Sequence, residues 1–261
     1  TGTKVAPIEP RVAERSPARI ALALGGGAAR GFAHIGVIKA LEAQGISADI
    51  IVGTSAGSVV GALYAAGLDG FRIQELSMNM EEDQVIDGSG MYRCIAETVV
   101  SDKRGCIKGE ALQDFINKNV KHRPIERLNK TFAAVATNLS NGEMMVFQTG
   151  NTGMAVRASS SVPVFFQPVT VNAKDYVDGG LVTPVPVSVA RTLGADFVIA
   201  VDISDRPQDR TTAGIVDILW QTFTIFGQTI NRHELPKADV IIRPVTYGIP
   251  ATDMSGRNIA V

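Results

Sequence analysis

Ser55 stands in Gly53-Thr54-Ser55-Ala56-Gly57, directly after Asp49-Ile50-Ile51-Val52 and before small residues at helical spacing. A serine between glycines, at a strand-to-helix junction, can sit on a turn too sharp for larger neighbours. Its Oγ then stands clear of the backbone, with the helix N-terminus aimed at whatever it attacks. The chemistry such a residue offers is nucleophilic. The plain alternative is a tight turn whose serine caps the helix, and the five residues alone leave both open.

Upstream, the strand-like Arg19-Ile20-Ala21-Leu22-Ala23-Leu24 runs into Gly25-Gly26-Gly27-Ala28-Ala29-Arg30-Gly31 and then a helix pattern. Successive glycines at a helix start expose consecutive backbone N–H groups and cradle an anion. A dinucleotide site fits poorly: the loop is not a clean G-x-G-x-x-G, and Asp49 precedes the second strand instead of closing it. No Walker Gly-Lys-Ser/Thr is present. Donors aimed at the alkoxide of an acyl transfer fit better, and one such donor accounts for ~3–4 kcal/mol of barrier.

Downstream, Val169 to Val177 alternates as a hairpin around Asn172-Ala173-Lys174 and stops at Asp178-Gly179-Gly180. By itself this is a common turn. Serine hydrolases normally use a histidine base, and the chain has only His34, His122 and His233. His34 lies in the helix after the glycine loop, where packing or capping suits it. His122 reads as a surface helix C-terminus, favoured by the dipole. His233 ends an amphipathic segment. None has a motif around it, which makes an aspartate base worth weighing.

The glycine loop, Gly53-Thr54-Ser55-Ala56-Gly57 and Asp178-Gly179-Gly180 follow one another in an order and spacing that resembles the patatin-like phospholipases. The likeness is to their bacterial branch, related to the esterase domain of neuropathy target esterase. The stretch from Ala158 through Ser159, Val162 and Pro163 to Phe166 resembles a further family segment. The similarity covers roughly residues 18 to 205. It implies Ser55 as nucleophile, Asp178 as its only side-chain partner, and an oxyanion or substrate-binding region of Gly25, Gly26, Gly27 and Arg30, with Ala56 beside the nucleophile. It also implies a three-layer α/β/α fold on a mostly parallel sheet. One departure stands out: counting from Gly26, the third slot of the family's glycine pattern holds Ala28, a residue that tolerates positive φ poorly.

Two strands each followed by a helix (about Phe32–Gln44 and Ala56–Ala66) give a βαβα opening, which supports an α/β class independently. Helical patterns follow over Phe71–Met80 and Glu110–Val120, with the glycine-containing Asp87–Gly109 between them as a candidate lid. Phe132–Leu139 and Glu143–Gln148 flank Ser140-Asn141-Gly142, a hairpin signal. Val185–Leu193 is a helix, Phe197–Ile203 a buried strand and Val240–Arg243 a last short strand. Between these, Ile215, Leu219, Phe223 and Phe226, joined by Trp220, form one apolar helix face. Packing of that face against the sheet is the expectation; an exposed lipid-docking patch is the alternative, and Asp217, Gln221 and Gln228 stand where basic residues would help it.

The 261 residues, 45% apolar and 20% charged, divide into a Pro-containing arm (1–17), a catalytic domain (18–245) and a tail (246–261). A formal charge of −1 offers nothing to nucleic acid. No apolar stretch is long enough to span a bilayer. No zinc or calcium pattern is present, so no metal and no cofactor is expected. Cys94 and Cys106 are idle thiols or one disulfide. The expected function is a serine lipid acyl hydrolase (phospholipase, lysophospholipase or esterase) acting through an acyl-enzyme. Its partner is a lipid or ester substrate, with peripheral membrane contact compatible and oligomeric state unassigned. A Ser-His-Asp α/β-hydrolase and a non-catalytic lipid-binding protein are the alternatives. The chain begins at Thr1 with a polar, Pro-containing arm suited to a spacer; the expectation is a lipid-tethered or periplasmic enzyme, with a cytoplasmic one as the alternative.

Overall fold

The computed structural model describes residues 17–79, 104–207 and 214–246. The N-terminal arm up to residue 16, most of the candidate lid with Cys94, and the tail from residue 247 lie outside the described residues.

The sheet is built on strands with no polar face. β1 (Ile20–Leu24) and β2 (Ile50–Thr54) pair in parallel, and nearly every residue in them is buried. Strands covered on both faces need apolar or small side chains throughout. β2 continues in parallel to β3 (Thr131–Asn138). On the other side, β1 pairs in parallel with β7 (Phe197–Val201), and β7 with β8 (Val240–Ile242). Successive side chains point to opposite faces. Leu22, Leu24, Ile51 and Phe132 therefore enter one core, and Ala21, Ala23, Ile50 and Val52 the other.

The first core is closed by α1 (Ala33–Ala43), α2 (Ala56–Ala65), α3 (Gly70–Met78), α4 (Glu110–Asn119) and α5 (Thr152–Ser159), through residues such as Ile38, Leu63, Ile73, Ile116 and Val156. The second is closed by α6 (Val187–Thr192), with Val187, Val189 and Ala190 facing the sheet. The result is three layers around a mostly parallel sheet, as expected.

The rest of the sheet is antiparallel. β4 (Met144–Phe147) pairs with β3 across the Gly142 loop. β5 (Val169–Val171) and β6 (Lys174–Asp178) form the hairpin foreseen around Asn172 and Ala173, both at positive φ as a two-residue turn of this hand requires. β6 then pairs with the end of β3. On β3, Thr54 of β2 lies opposite Val135 and Asp178 of β6 lies opposite Ala136. Two strands from distant parts of the chain thus end at neighbouring positions of a third.

Two elements differ from the sequence expectations. α5 was not foreseen, although Asn151 signals its start: the Asn151 side chain accepts a hydrogen bond from Met154 N at 2.7 Å. The apolar segment after residue 214 is a longer helix, α7 (Ile215–Glu234), and it does not pack against the sheet. Its main neighbours are the turns Gly179–Leu181 and Leu235–Lys237. Of its side chains described, only Asn231 is buried.

Candidate active site

Ser55 is the residue between β2 and α2, with φ 53° and ψ −123°. A non-glycine residue there costs about 1–3 kcal/mol and persists only where its surroundings hold it. The flanking glycines are part of that hold. A Cβ on Gly53 would collide with the backbone of Gly57 and Ser58, and one on Gly57 would collide with Leu24 O. The Ser55 N–H donates to Ser159 Oγ at 2.9 Å, and Thr54 Oγ1 donates to Thr183 O at 2.9 Å. Ser159, at the end of α5, is a supporting residue that spacing could not reveal; the only signal was its place in the Ala158–Phe166 stretch.

The glycine loop meets this turn directly. Gly26 approaches so closely that an added Cβ would lie 3.3 Å from Ser55 Cβ, and one on Gly31 would lie 2.7 Å from Ala56 Cβ. Its N–H groups are not equivalent. Gly25 N donates to Val201 O at 3.0 Å and Gly26 N to Pro184 O at 2.9 Å, so neither is available to an anion. This corrects the expectation that Gly25 and Gly26 act as donors. Among the described residues, the N–H groups of Gly27 and Ala28 have no protein acceptor. Ala28 adopts φ 50°, the positive value that its side chain was expected to resist. Gly27 is extended, and glycine is needed there for space, since a Cβ would lie 2.8 Å from Ile203 Cδ1.

Arg30 is nearly fully buried and pairs with Asp205 at 2.8 Å. Its backbone N–H bonds to Gly27 O at 3.1 Å. Arg30, Gly26 and Gly27 all line the cavity that holds Ser55; Gly25 lies behind it, and Ala56 opens α2 without reaching the cavity wall.

Asp178 closes β6 on the same cavity. Its backbone is held by Ser161 O, which accepts from Asp178 N at 2.9 Å, and by Thr137 Oγ1, which donates to Asp178 O at 2.8 Å. Oδ1 accepts the Gly180 N–H at 2.7 Å. Oδ2 is buried with no hydrogen-bond partner. Burial pushes the carboxyl up to about 6, against the Ser55 hydroxyl and the Gly180 N–H, which favour the charged form. Ser55 is thus near enough to act on the carboxylate electrostatically, yet makes no aligned bond to Oδ2. Pairs of this kind commonly tighten only when substrate is bound.

No histidine lines this cavity. His34 is fully buried, and Nε2 lies 2.8 Å from Gly25 O. Burial lowers its pKa to about 4, outweighing the Gly25 carbonyl and the charge of Asp202, so the ring is neutral and donates from Nε2. His34 therefore anchors the glycine loop. His122 lies in a left-handed turn after α4, and His233 is exposed at the end of α7; neither lines the cavity.

The cavity is about 320 Å³. Ser55, Asp178 and the Gly27–Ala28 peptide form its polar floor. Its walls are Val162, Pro163, Leu181 and, from α7, Trp220, Phe223 and Phe226. Trp220 also meets the Phe165 ring edge-on, with centroids 6.3 Å apart. The α7 residues were singled out from the sequence as an ordinary packing face; they are instead one wall of the site.

The family model described as patatin-like phospholipase matches residues 22–191, which hold the glycine loop, the Ser55 turn and Asp178. An uncharacterised NTE family protein of Mycobacterium bovis is 36% identical over 200 residues, covering 76% of this chain and 53% of that protein. Patatin-like phospholipase domain-containing protein 6 of Mus musculus is 33% identical over 202 residues, covering 75% of this chain and 14% of that protein. The chain thus spans about half the length of the first relative and a small part of the second. Among solved structures, VipD from Legionella pneumophila superposes with a TM-score of 0.52 at 18% identity, covering 75% of this chain and 52% of that one, a likeness of fold. With the matched model running across well over half of the residues, the chain belongs to the patatin-like phospholipase family.

Proposed function

We propose that the protein hydrolyses carboxylic esters of lipids through a Ser55–Asp178 dyad. The observation that carries this is the shared cavity: a serine held at positive φ faces a buried carboxylate with one unbonded oxygen, between apolar walls. Asp178 Oδ2 takes the Ser55 proton as Oγ attacks the acyl carbonyl. The N–H groups of Gly27 and Ala28 hold the oxyanion, with α2 adding its N-terminal dipole. Collapse expels the alcohol, which leaves with the proton from Asp178. Water then gives a proton to Asp178 and attacks the acyl-enzyme; on collapse Asp178 returns that proton to Ser55 Oγ, freeing the fatty acid. Desolvation without a paired cation among the described residues favours this role, because it makes the Asp178 carboxylate a stronger base than a solvated one. Phospholipids and lysophospholipids are the substrate class proposed first, on family grounds and on the apolar walls.

Turnover of a p-nitrophenyl acyl ester tests the proposal. Ser55→Ala abolishes it, and kcat/KM in the native protein falls on acidification through an apparent pKa near 6 as Asp178 takes up its proton. Full activity in folded Ser55→Ala would refute the nucleophile.

A further inference from the structure

The face of α7 turned away from the cavity is apolar as well. At about 100° per residue, Trp220, Thr224 and Gly227 share the side that lines the site, and Ile218, Thr222 and Ile225 share the opposite side, with Thr229 on that side as well while also reaching the cavity. Ile218 is 53% exposed and Ile225 48%. Phe226, 58% exposed, lies at the border and belongs to the cavity wall too. From Ile218 to Asn231 the sequence carries no ionisable side chain. A helix apolar on both sides is ordinarily buried on both, yet among the described residues α7 is covered on one side only.

The polar side chains from Thr222 to Asn231 are bonded within the protein. Thr222, Thr224 and Thr229 each donate to the carbonyl four residues earlier, those of Ile218, Trp220 and Ile225, at 2.8, 3.0 and 3.0 Å. Gln228 Nε2 donates to Asp205 O at 2.7 Å, and Asn231 Nδ2 to Ser204 Oγ at 3.1 Å. A threonine bonded back to its own helix presents its methyl group outward and has its donor satisfied without water. The outer face can therefore leave water without stranding a hydroxyl proton.

We propose that this face of α7 docks on the surface of a lipid aggregate, seating the cavity mouth at the interface so that an acyl chain passes over Phe226 to Ser55. A lipid surface is the occupant because the face is continuous with the cavity through Phe226, and the choice rests on the lipid-ester reaction proposed above. Between Ile218 and Ile230 the outer face carries no charge, and the exposed Arg232 follows on the same side at the C-terminal end; docking is therefore driven chiefly by apolar burial and does not require anionic lipid.

The test uses the full chain carrying Ser55→Ala, so that binding is scored without turnover, floated with vesicles of phosphatidylcholine alone. The protein should float, and Ile218→Asp with Ile225→Asp should reduce flotation ~tenfold or more. In the chain with Ser55 restored, the same pair should slow hydrolysis of vesicle phospholipid while leaving a dissolved short-chain ester unaffected. A second probe covers the case in which the charged pair does not fold. Ile225→Trp in a Trp220→Phe background places the single tryptophan on the outer face, where brominated acyl chains should quench it. Three results would overturn the proposal: no flotation of the parent, equal flotation of the charged variant, or an unquenched tryptophan in the Ile225→Trp protein. A charged variant that converts a dimer to monomers without altering flotation assigns the face to a second copy instead. Vesicle binding without any ester hydrolysis would remove the dyad and leave the docking surface standing.

Discussion

Asp178→Asn should abolish turnover and make the protein more stable. The wild-type carboxyl titrates at about 6 in the fold, against an ordinary 3.8, because burial opposes its charge. Between those values the unfolded chain has released its proton while the folded one keeps it. Stability therefore falls as pH rises across this window and stays lower above it. A shift of roughly two units at 1.36 kcal/mol each makes the penalty ~3 kcal/mol at pH 7.5. Asparagine removes the charge without disturbing the anchor: its amide oxygen still accepts the Gly180 N–H, and its NH₂ takes the place of Oδ2, which has no bonded donor to lose. Urea unfolding of both proteins at pH 4 and pH 7.5 measures this. The advantage of Asp178→Asn should be small at pH 4 and grow toward ~3 kcal/mol at pH 7.5, with a melting temperature higher by roughly 6–12 °C at the upper pH. An advantage that did not grow with pH would refute the burial argument, and with it the reason for expecting an activated carboxylate.

Ser159→Ala should leave the Ser55 N–H without its acceptor; we expect kcat on a soluble ester to fall about ten- to a hundredfold with little change in KM, equivalent to ~1–3 kcal/mol. Gly57→Ala should prevent soluble expression or lower the melting temperature sharply, because its Cβ has no space beside Leu24 O. His122→Ala and His233→Ala should retain full activity in the same ester assay, since neither residue lines the cavity. His34→Ala should weaken activity through the Gly25 anchor, and His34→Gln, which can still donate, should recover part of it.

Much of the architecture was legible from local pattern. The strands around residues 20–24, 50–54 and 197–201 announce themselves as short apolar runs, because a strand covered on both faces excludes charge. Asn172-Ala173 set the final hairpin turn through two adjacent residues. α5 was missed: it is short, and Thr152 and Ser159 at its ends are stabilised by partners distant in sequence or by caps, not by helix propensity. The position of α7 was misjudged for a related reason. An apolar face says that a helix has something to cover, but not whether that is the sheet or a cavity mouth.

The chemistry divides in the same way. The turn at Ser55 is a local property, because Gly53 and Gly57 permit it and no other residue fits in their places. The place of Asp178 on the same cavity is not local. It arises because β2 and β6 end opposite consecutive residues of β3, Val135 and Ala136, a register that no stretch of the sequence records by itself. The same holds for the unbonded N–H groups of the glycine loop. Three successive glycines advertise N–H groups, but Val201 O and Pro184 O, carried in by β7 and the loop before α6, engage Gly25 and Gly26 and leave Gly27 and Ala28. Sequence determines which conformations a segment can adopt; only the folded chain decides which of its groups remain unbonded, since a hydrogen-bond partner far along the chain is supplied by packing alone.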